Sequence, residues 1–246
     1  MKKVYSRPKS LKAAHFHYCP GCGHAIVNRL LAEVIDEMGL RDNIICVAPA
    51  GCGMLLYNYF DIDCLESAHG RGAAVATGIK RVRPDNLVVS YQGDGDLAAI
   101  GTAESFHAAN RAENITVIFV NNSVYGMTGG QMAPTTIIDQ VTTTTPGGRV
   151  SVQAGHPVRM CEVLAVLDGT SYLERVAVHK PAAIGAAKKA LAKAFQHQMR
   201  KTGFSMVEIL SPCPTNWKMD AIQACKWVED VMSKEFPVGV VKEVKC

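Results

Sequence analysis

The feature of this sequence that most constrains its fold is a pair of apolar runs, each ending in a polar motif. Residues 87–91 lead into Gly93-Asp94-Gly95-Asp96, and residues 115–120 lead into Asn121-Asn122. Between them, apolar positions at helical spacing predict a helix from Ala98 to Arg111. A strand, a helix and a strand at this length form a crossover unit, so the two strands are expected to lie parallel in one sheet.

The two polar motifs are expected to form one cation site. Open α/β sheets bind their ligands at the carboxyl ends of the strands, which is where both motifs emerge. The Asp94 carboxylate and the Asn122 amide oxygen would then lie side by side, and Mg²⁺ prefers oxygen ligands of this kind. Gly93 and Gly95 flank the aspartate and leave room for a phosphate group. The pattern therefore predicts a magnesium–diphosphate site.

This spacing of motifs resembles the cofactor motif of thiamine-diphosphate enzymes, in which Gly-Asp-Gly is followed by Asn-Asn. The resemblance implies that Asp94 and Asn122 hold Mg²⁺ together with the main-chain carbonyl of Val124. Diphosphate oxygens and water would complete the metal shell. A turn at Gly-Asp-Gly with a solvated asparagine pair is the alternative, and the spacing and the two leading strands disfavour it.

Further cofactor contacts are expected from two loops. His69 lies just before a predicted helix, Gly72 to Val82, where positive charge and free main-chain N–H groups favour phosphate; capping or packing is the alternative for this histidine. Thr128 follows the metal asparagine closely enough to contact the diphosphate, and Met127 to touch the thiazolium ring or the substrate, with core packing as its alternative. The expected cofactor-binding residues are His69, Gly93, Asp94, Gly95, Asp96, Asn122, Gly126, Met127 and Thr128.

A second candidate centre is formed by cysteines. Cys19 and Cys22 form a C-x-x-C pair, Cys52 lies between two glycines, and Cys213 lies between two prolines. Four thiolates from such loops fit either one iron–sulfur cluster or one structural zinc ion. A redox dithiol at the C-x-x-C pair is a third possibility. The residues by themselves leave all three open.

The other cysteines are assigned to packing or to no role. Cys46, Cys161 and Cys225 lie in predicted strands or helices and are expected to be small core hydrophobes. Cys64 and Cys246 have no evident role. An odd total of nine cysteines and no apolar signal sequence argue against a secreted disulfide scaffold. Free thiols therefore indicate a reducing cytoplasm.

Taken together, the two sets of motifs resemble the β subunit of the 2-oxoacid:ferredoxin oxidoreductases. The segments that carry this resemblance are 18–24, 69–72, 93–97, 121–122, 125–131 and Cys213. The resemblance implies a 4Fe-4S cluster close to the thiamine diphosphate. Its ligands would be Cys19, Cys22, Cys52 and Cys213. The implied reaction is the oxidative decarboxylation of a 2-oxoacid to an acyl-CoA, with electrons passing to ferredoxin.

Partner subunits follow from the same resemblance. The glutamate that activates the aminopyrimidine of the cofactor usually lies on a separate pyrimidine-binding domain, for which this chain is too short. That domain is expected on an α subunit, with γ and δ (ferredoxin-like) subunits beside it, so the isolated chain should be inactive. No basic side chain lies between Cys52 and His69, and a second substrate carboxylate would need one. Branched-chain acids such as 3-methyl-2-oxobutanoate are therefore favoured over 2-oxoglutarate, unless a partner supplies the cation.

The alternation of strands and helices predicts an α/β fold, a doubly wound and mainly parallel sheet of the thiamine-diphosphate-binding type. Residues 1–246, 48% hydrophobic, are expected to form a single domain with an N-terminal arm and a C-terminal helical extension. The five predicted strands begin at Asn43, Leu87, Ile115, Leu173 and Ser205. The other predicted helices are Gly23–Met38, Val158–Leu167, Pro181–Lys201 and Trp217–Phe236.

Several classes of function are set aside or remain as rivals. A formal charge of +4 spread along the chain gives no nucleic-acid footprint, and no apolar stretch is long enough to span a bilayer. One rival is a thiamine lyase or synthase without electron transfer, and another is an electron-transfer subunit without thiamine. A nucleotide-binding Rossmann domain is weaker, because the pattern at Gly93 is not G-x-G-x-x-G.

Overall fold

The fold is organised around a seven-stranded, mainly parallel sheet in a computed structural model that describes residues 6–244. The strands are β1 (Ile44–Ala48), β2 (Asp63–Glu66), β3 (Leu87–Gly93), β4 (Thr116–Asn121), β5 (Val124–Tyr125), β6 (Gln131–Met132), β7 (Thr170–Ala177), β8 (Phe204–Leu210) and β9 (Gly239–Glu243). Their order in the large sheet is β2-β1-β3-β4-β8-β7-β9. All neighbours are parallel except β9, which is antiparallel to β7, and β5 and β6 form a separate hairpin.

Helices cover the sheet. They are α1 (His24–Glu37), α2 (Leu56–Tyr59), α3 (Gly72–Val82), α4 (Thr102–Asn110), α5 (Ser151–Ala154), α6 (Met160–Ala165), α7 (Pro181–Met199), α8 (Pro214–Trp217), α9 (Ala221–Trp227) and α10 (Ser233–Glu235), with π-helical turns at Asp94–Ala99 and Val228–Met232. No helix between residues 6 and 244 has the length and apolarity that crossing a bilayer requires.

Two apolar layers hold the helices against the sheet. Strand β4 is buried along its whole length, and alternate side chains point to opposite faces. Ile118 and Val120 pack with the layer that contains α1 and α7, whereas Val117 and Phe119 pack with the layer of α3, α4 and α6. Helices on both faces of a parallel sheet define the doubly wound α/β fold, so the predicted fold class is confirmed.

All five predicted strands exist, and each begins within three residues of the expected position. The strands β2 and β9 were not predicted, and both lie at edges of the sheet. Strand β2 is exposed at most of its positions and carries no alternation of apolar and polar residues, so it gives no strand pattern. The C-terminal extension, which the sequence predicts as helical, contains helices and ends in the strand β9.

Two predicted helices have different bounds in the structure. The helix expected over 98–111 begins earlier, as the π-helical turn at Asp94, and is interrupted at Gly101, where a side chain would collide with the Asp96 carbonyl. The prediction of one continuous helix from Trp217 to Phe236 was wrong. Lys218 adopts a left-handed conformation (φ 54°), and the chain restarts at α9 with a capping box formed by Asp220 and Gln223.

Candidate cofactor and cluster site

A cleft of about 490 Å³ opens at the carboxyl ends of β1, β3 and β4. The chain leaves β1 for β2 on one side and then crosses to β3 on the other, so this edge is the topological switch point of the sheet. Ligands of open α/β sheets bind at such points. The segments 49–53, 93–96 and 120–128 line the cleft, and they contain most of the predicted cofactor residues.

The Asn122 amide lies between two oxygen atoms on the floor of this cleft. One of its terminal atoms is 2.8 Å from Asp94 Oδ2 and 2.7 Å from the main-chain oxygen of Val124. If that terminal atom is the amide nitrogen, it donates to both oxygens, whereas an amide oxygen there requires a cation among the three atoms. Adjacent ligands of octahedral Mg²⁺ lie about 3.0 Å apart, because each is about 2.1 Å from the metal. The two distances are close to that spacing.

The carboxylate of Asp94 is buried with one oxygen hydrogen-bonded and the other available to a bound cation. Its Oδ2 accepts hydrogen bonds from the main-chain N–H groups of Asn122 (3.2 Å) and Val124 (3.1 Å), whereas its Oδ1 is buried without a hydrogen-bond partner in the described part of the chain. Burial raises the pKa of this carboxyl well above its ordinary range, and those two hydrogen bonds offset the effect only in part. A bound divalent cation would remove this cost of burial.

The first asparagine of the pair shapes the turn that carries the second. Asn121 Nδ2 donates to Glu208 Oε1 (2.7 Å), and its Oδ1 accepts from the main-chain N–H of Ser123 (3.0 Å). Ser123 has a left-handed φ of 56°, which a non-glycine residue adopts only when its surroundings hold it there. Glu208 Oε2 in turn accepts from Arg175 Nε (2.9 Å), and both of these side chains are fully buried.

We expect Arg175→Met to lower the free energy of unfolding by about 3–5 kcal/mol, because it leaves the Glu208 carboxylate buried without its cation. Urea denaturation of the full chain measures this. The matched control is Arg159→Met, which removes an exposed ion pair with Glu235 and should cost no more than about 1 kcal/mol. Equal losses in the two variants would contradict the assignment of Arg175 as a buried structural cation.

His69 is held at the rim of the cleft by Asp96. The buried Asp96 carboxylate accepts from His69 Nδ1 (2.9 Å), Gly70 N (2.8 Å) and Gln92 Nε2 (3.0 Å). Asp96 therefore lines the cleft with its oxygens already engaged, and its contribution is to fix the turn before α3. His69 does not cap α3, whose start has no side-chain cap. Its Nε2 lies above Gly95 and faces the space beside the Asp94 motif.

Residues 126–128 follow the turn at 121–124 and form the rim of the cleft that His69 does not occupy. Met127 is 58% exposed, so the packing alternative for this residue was wrong. Thr128 donates from Oγ1 to Gln131 (2.6 Å) and lines the cleft together with Gly126. The lining residues that were not predicted include Ile100, which is half exposed, and His24, whose Nδ1 bonds the Tyr91 hydroxyl at 2.7 Å.

The four candidate cluster ligands come from three loops that meet beside this cleft. Cys22 N donates to the carbonyl of Cys19 (3.0 Å), which closes the C-x-x-C turn. The next residue, Gly23, donates to the carbonyl of Pro212 (3.3 Å), which joins that turn to the Cys213 loop. The Cys52 loop lines the cleft, and a Cβ placed on Gly126 would lie 3.0 Å from Cys52 Sγ.

The pKa values of these thiols indicate that the thiols lie close enough to influence one another. The pKa of Cys22 and of Cys52 is raised to about 12, mainly by burial and to a smaller extent by nearby thiols, among them Cys213 and Cys19. A positively charged centre among the sulfurs would reverse this effect.

Within residues 6–244 no three His, Cys, Asp or Glu side chains have the spacing of a single-ion site. A zinc ion bound by four thiolates would hold their sulfurs about 3.8 Å apart, given Zn–S distances of about 2.3 Å.

The remaining cysteines divide as follows. Cys46 and Cys161 are buried, as expected for core residues. Cys225 is only partly buried on α9, so the prediction of a core position for it was wrong. Cys64 is half-buried on β2, directly opposite Cys46 in register. Cys246 lies outside the described residues.

Comparison with known proteins identifies the class. Residues 54–209 match the family model described as the C-terminal TPP-binding domain of thiamine pyrophosphate enzymes. Over its whole length the chain also superposes on 87% of a chain of 2-oxoglutarate:ferredoxin oxidoreductase from Magnetococcus marinus, solved with 2-oxoglutarate, coenzyme A and succinyl-CoA bound, with a TM-score of 0.78 and 25% identity. A doubly wound sheet with this cleft is therefore the thiamine-pyrophosphate-binding fold.

Curated relatives narrow the family. The chain is 47% identical to ketoisovalerate oxidoreductase subunit VorA of Methanothermobacter marburgensis, over 97% of this chain and 50% of that protein. It is 37% identical to 2-oxoglutarate synthase subunit KorB of Methanocaldococcus jannaschii, over 80% of this chain and 69% of that protein. The chain belongs to the thiamine-pyrophosphate-binding subunits of the 2-oxoacid oxidoreductases, and the resemblance inferred from its motifs is confirmed. It spans about half the length of the VorA relatives.

Proposed function

We propose that this chain is the thiamine-diphosphate-binding subunit of an enzyme that oxidatively decarboxylates a 2-oxoacid to an acyl-CoA and passes the electrons through a 4Fe-4S cluster to ferredoxin. One observation carries the proposal: the Asp94 carboxylate, the Asn122 amide and the Val124 carbonyl meet in the same cleft that Cys52 lines. An electron-transfer subunit without thiamine has no use for these oxygen-bearing groups. A lyase or synthase without electron transfer has no use for the gathered thiols.

The chain's own residues have distinct tasks in this proposal. When bound, thiamine diphosphate supplies the electron sink for loss of CO₂. Asp94, Asn122 and the Val124 carbonyl would hold Mg²⁺, which neutralises the diphosphate and fixes its position. Met127 and Ile100 at the rim cover the cleft with apolar surface and limit the access of water. The four cysteines would hold the cluster that accepts electrons at the neighbouring loop.

The carboxylate that activates the cofactor is assigned to another polypeptide. No glutamate lines the cleft within residues 6–244. Of its two acidic residues, Asp94 is assigned to the metal, and Asp96 accepts hydrogen bonds from His69, Gly70 and Gln92. We therefore assign the activating glutamate to an α subunit with a pyrimidine-binding domain. The γ and δ subunits and ferredoxin would complete the electron pathway.

The substrate is proposed to be a branched-chain 2-oxoacid, 3-methyl-2-oxobutanoate. The cleft is lined by neither lysine nor arginine in the described part of the chain. The second carboxylate of 2-oxoglutarate would need a cation if it were buried there, whereas an isopropyl group suits Met127 and Ile100. The name of the VorA relative, which is more similar than KorB in identity and in coverage of this chain, supports the same substrate. The alternative is 2-oxoglutarate, favoured by the M. marinus structure, with its cation supplied by a partner.

An anaerobic assay tests the proposal. The chain is purified with its copurifying subunits, and CoA-dependent reduction of a low-potential dye is followed with 3-methyl-2-oxobutanoate, 2-oxoglutarate and pyruvate. We expect the branched acid to give the highest kcat/KM, and the chain alone to give no turnover. A preference for 2-oxoglutarate would contradict the proposed substrate and would still agree with the proposed reaction type. No reduction by a preparation that contains iron, sulfide and thiamine would favour the lyase or synthase alternative.

A further inference from the structure

We propose that Asn216 is a positioning residue that ties the cluster to the cofactor loop and raises the reduction potential of the cluster through its hydrogen bond to the Cys213 sulfur. This inference rests on the proposed function. Asn216 lies in α8, the single helical turn that begins directly after Cys213.

One amide group bridges the two centres. Asn216 Nδ2 carries two hydrogens, and it donates one to Cys213 Sγ (3.3 Å) and the other to the main-chain oxygen of Gly126 (3.0 Å). Gly126 lies four residues after Asn122, and a side chain at this position would collide with Cys52 Sγ. The main-chain N–H of Asn216 is directed at the same Cys213 sulfur. Two donors from one residue therefore stabilise negative charge on this thiolate.

The surroundings hold the amide in this orientation. A Cβ placed on Gly130 would lie 3.0 Å from Asn216 Oδ1, so the glycine allows the loop to close against the amide. Gly130 also has a φ of 80°, which favours glycine. Beside it, Trp217 Nε1 donates to the main-chain oxygen of Asn122 (3.1 Å). Helix α8 thus donates to two carbonyl groups of the 122–126 segment and sets its distance from Cys213.

The chemical effect follows from charge. A cluster becomes more negative when it is reduced, so hydrogen bonds to its sulfur ligands stabilise the reduced form and raise the potential. Removing the Asn216 side-chain donor removes one such bond and leaves the four cysteines in place. It also releases the Gly126 loop from the Cys213 loop.

The test measures the midpoint potential of the cluster by EPR-monitored titration of the anaerobically purified full chain with its copurifying subunits. Asn216→Leu preserves the bulk of the side chain without a donor, and Asn216→Ala is the second variant in case leucine does not fit. The control is Thr215→Ala, an exposed residue of the same turn. We expect both Asn216 variants to retain iron and to shift the reduction equilibrium about tenfold toward the oxidised form, which is about 59 mV for one electron. The control should not shift.

The test distinguishes a failure of the role proposed for Asn216 from a failure of the proposed function. Unchanged potentials in both Asn216 variants, with iron retained, would overturn the role of Asn216 and leave the proposed function intact. Loss of iron from both variants would overturn it as well, because it would make Asn216 a structural requirement. A wild-type preparation without iron would contradict the proposed function itself.

Discussion

Replacing Asp94 by asparagine is expected to weaken the binding of thiamine diphosphate in the presence of Mg²⁺ by more than about 100-fold, since even supporting residues around a metal contribute 10–100-fold. The substitution keeps the shape of the side chain and one oxygen that can accept from Asn122 N and Val124 N. It removes the negative charge and the oxygen Oδ1, which has no hydrogen-bond partner among residues 6–244. Fluorescence of Trp217, which bonds the Asn122 carbonyl, reports binding directly.

A matched control separates the loss of charge from a general effect on folding. Asp168→Asn changes an exposed aspartate in the loop before β7 and should leave the affinity for the cofactor unchanged. In the absence of cofactor, Asp94→Asn should not lower the free energy of unfolding, because it removes a buried carboxyl whose charged form is disfavoured. Unchanged affinity, or a destabilised cofactor-free protein, would show that Asp94 has a structural role instead.

The fold could be predicted where burial is continuous along the chain. Strands β4 and β8 are buried at every position, so their sequences are apolar runs that stand out from the helices around them. The edge strands β2 and β9 are partly exposed, and their pairing depends on neighbours that are distant in the sequence. Local pattern therefore identifies the centre of the sheet and not its edges.

The proximity of Asp94 and Asn122 could be predicted because each residue directly follows the end of a strand, β3 or β4, and Val124 comes two residues after Asn122. The residues that position the segments around Asp94 and Asn122 could not be predicted, since each of them bonds a residue that is distant in the sequence. Asn216 bonds Gly126 from 90 positions away, and no periodicity relates the two. One signal was available for the buried network: charged residues interrupt two apolar strands, and Arg175 and Glu208 stand opposite each other in register on β7 and β8.

Replacing Cys213 by serine is expected to reduce the iron content from about four per chain to background, because an Fe–S cluster of this type uses four thiolates. Cys213 is buried, and its sulfur accepts a hydrogen bond from Asn216 Nδ2. Iron and sulfide analysis of anaerobically purified protein measures the loss. The control is Cys225→Ser on α9, whose partly exposed thiol lies outside the proposed centre.

The Cys213→Ser variant also tests whether the proposed cluster and the cofactor site bind their ligands independently. The oxygens of Asp94, Asn122 and Val124 are positioned by main-chain bonds and by Glu208, and none of these contacts includes a cysteine. Cys213→Ser should therefore keep its affinity for thiamine diphosphate while it loses iron, and Asp94→Asn should lose cofactor affinity while it keeps iron. Zinc in place of iron in the wild-type chain would contradict the cluster assignment. Iron retained in Cys213→Ser would exclude this cysteine as a ligand.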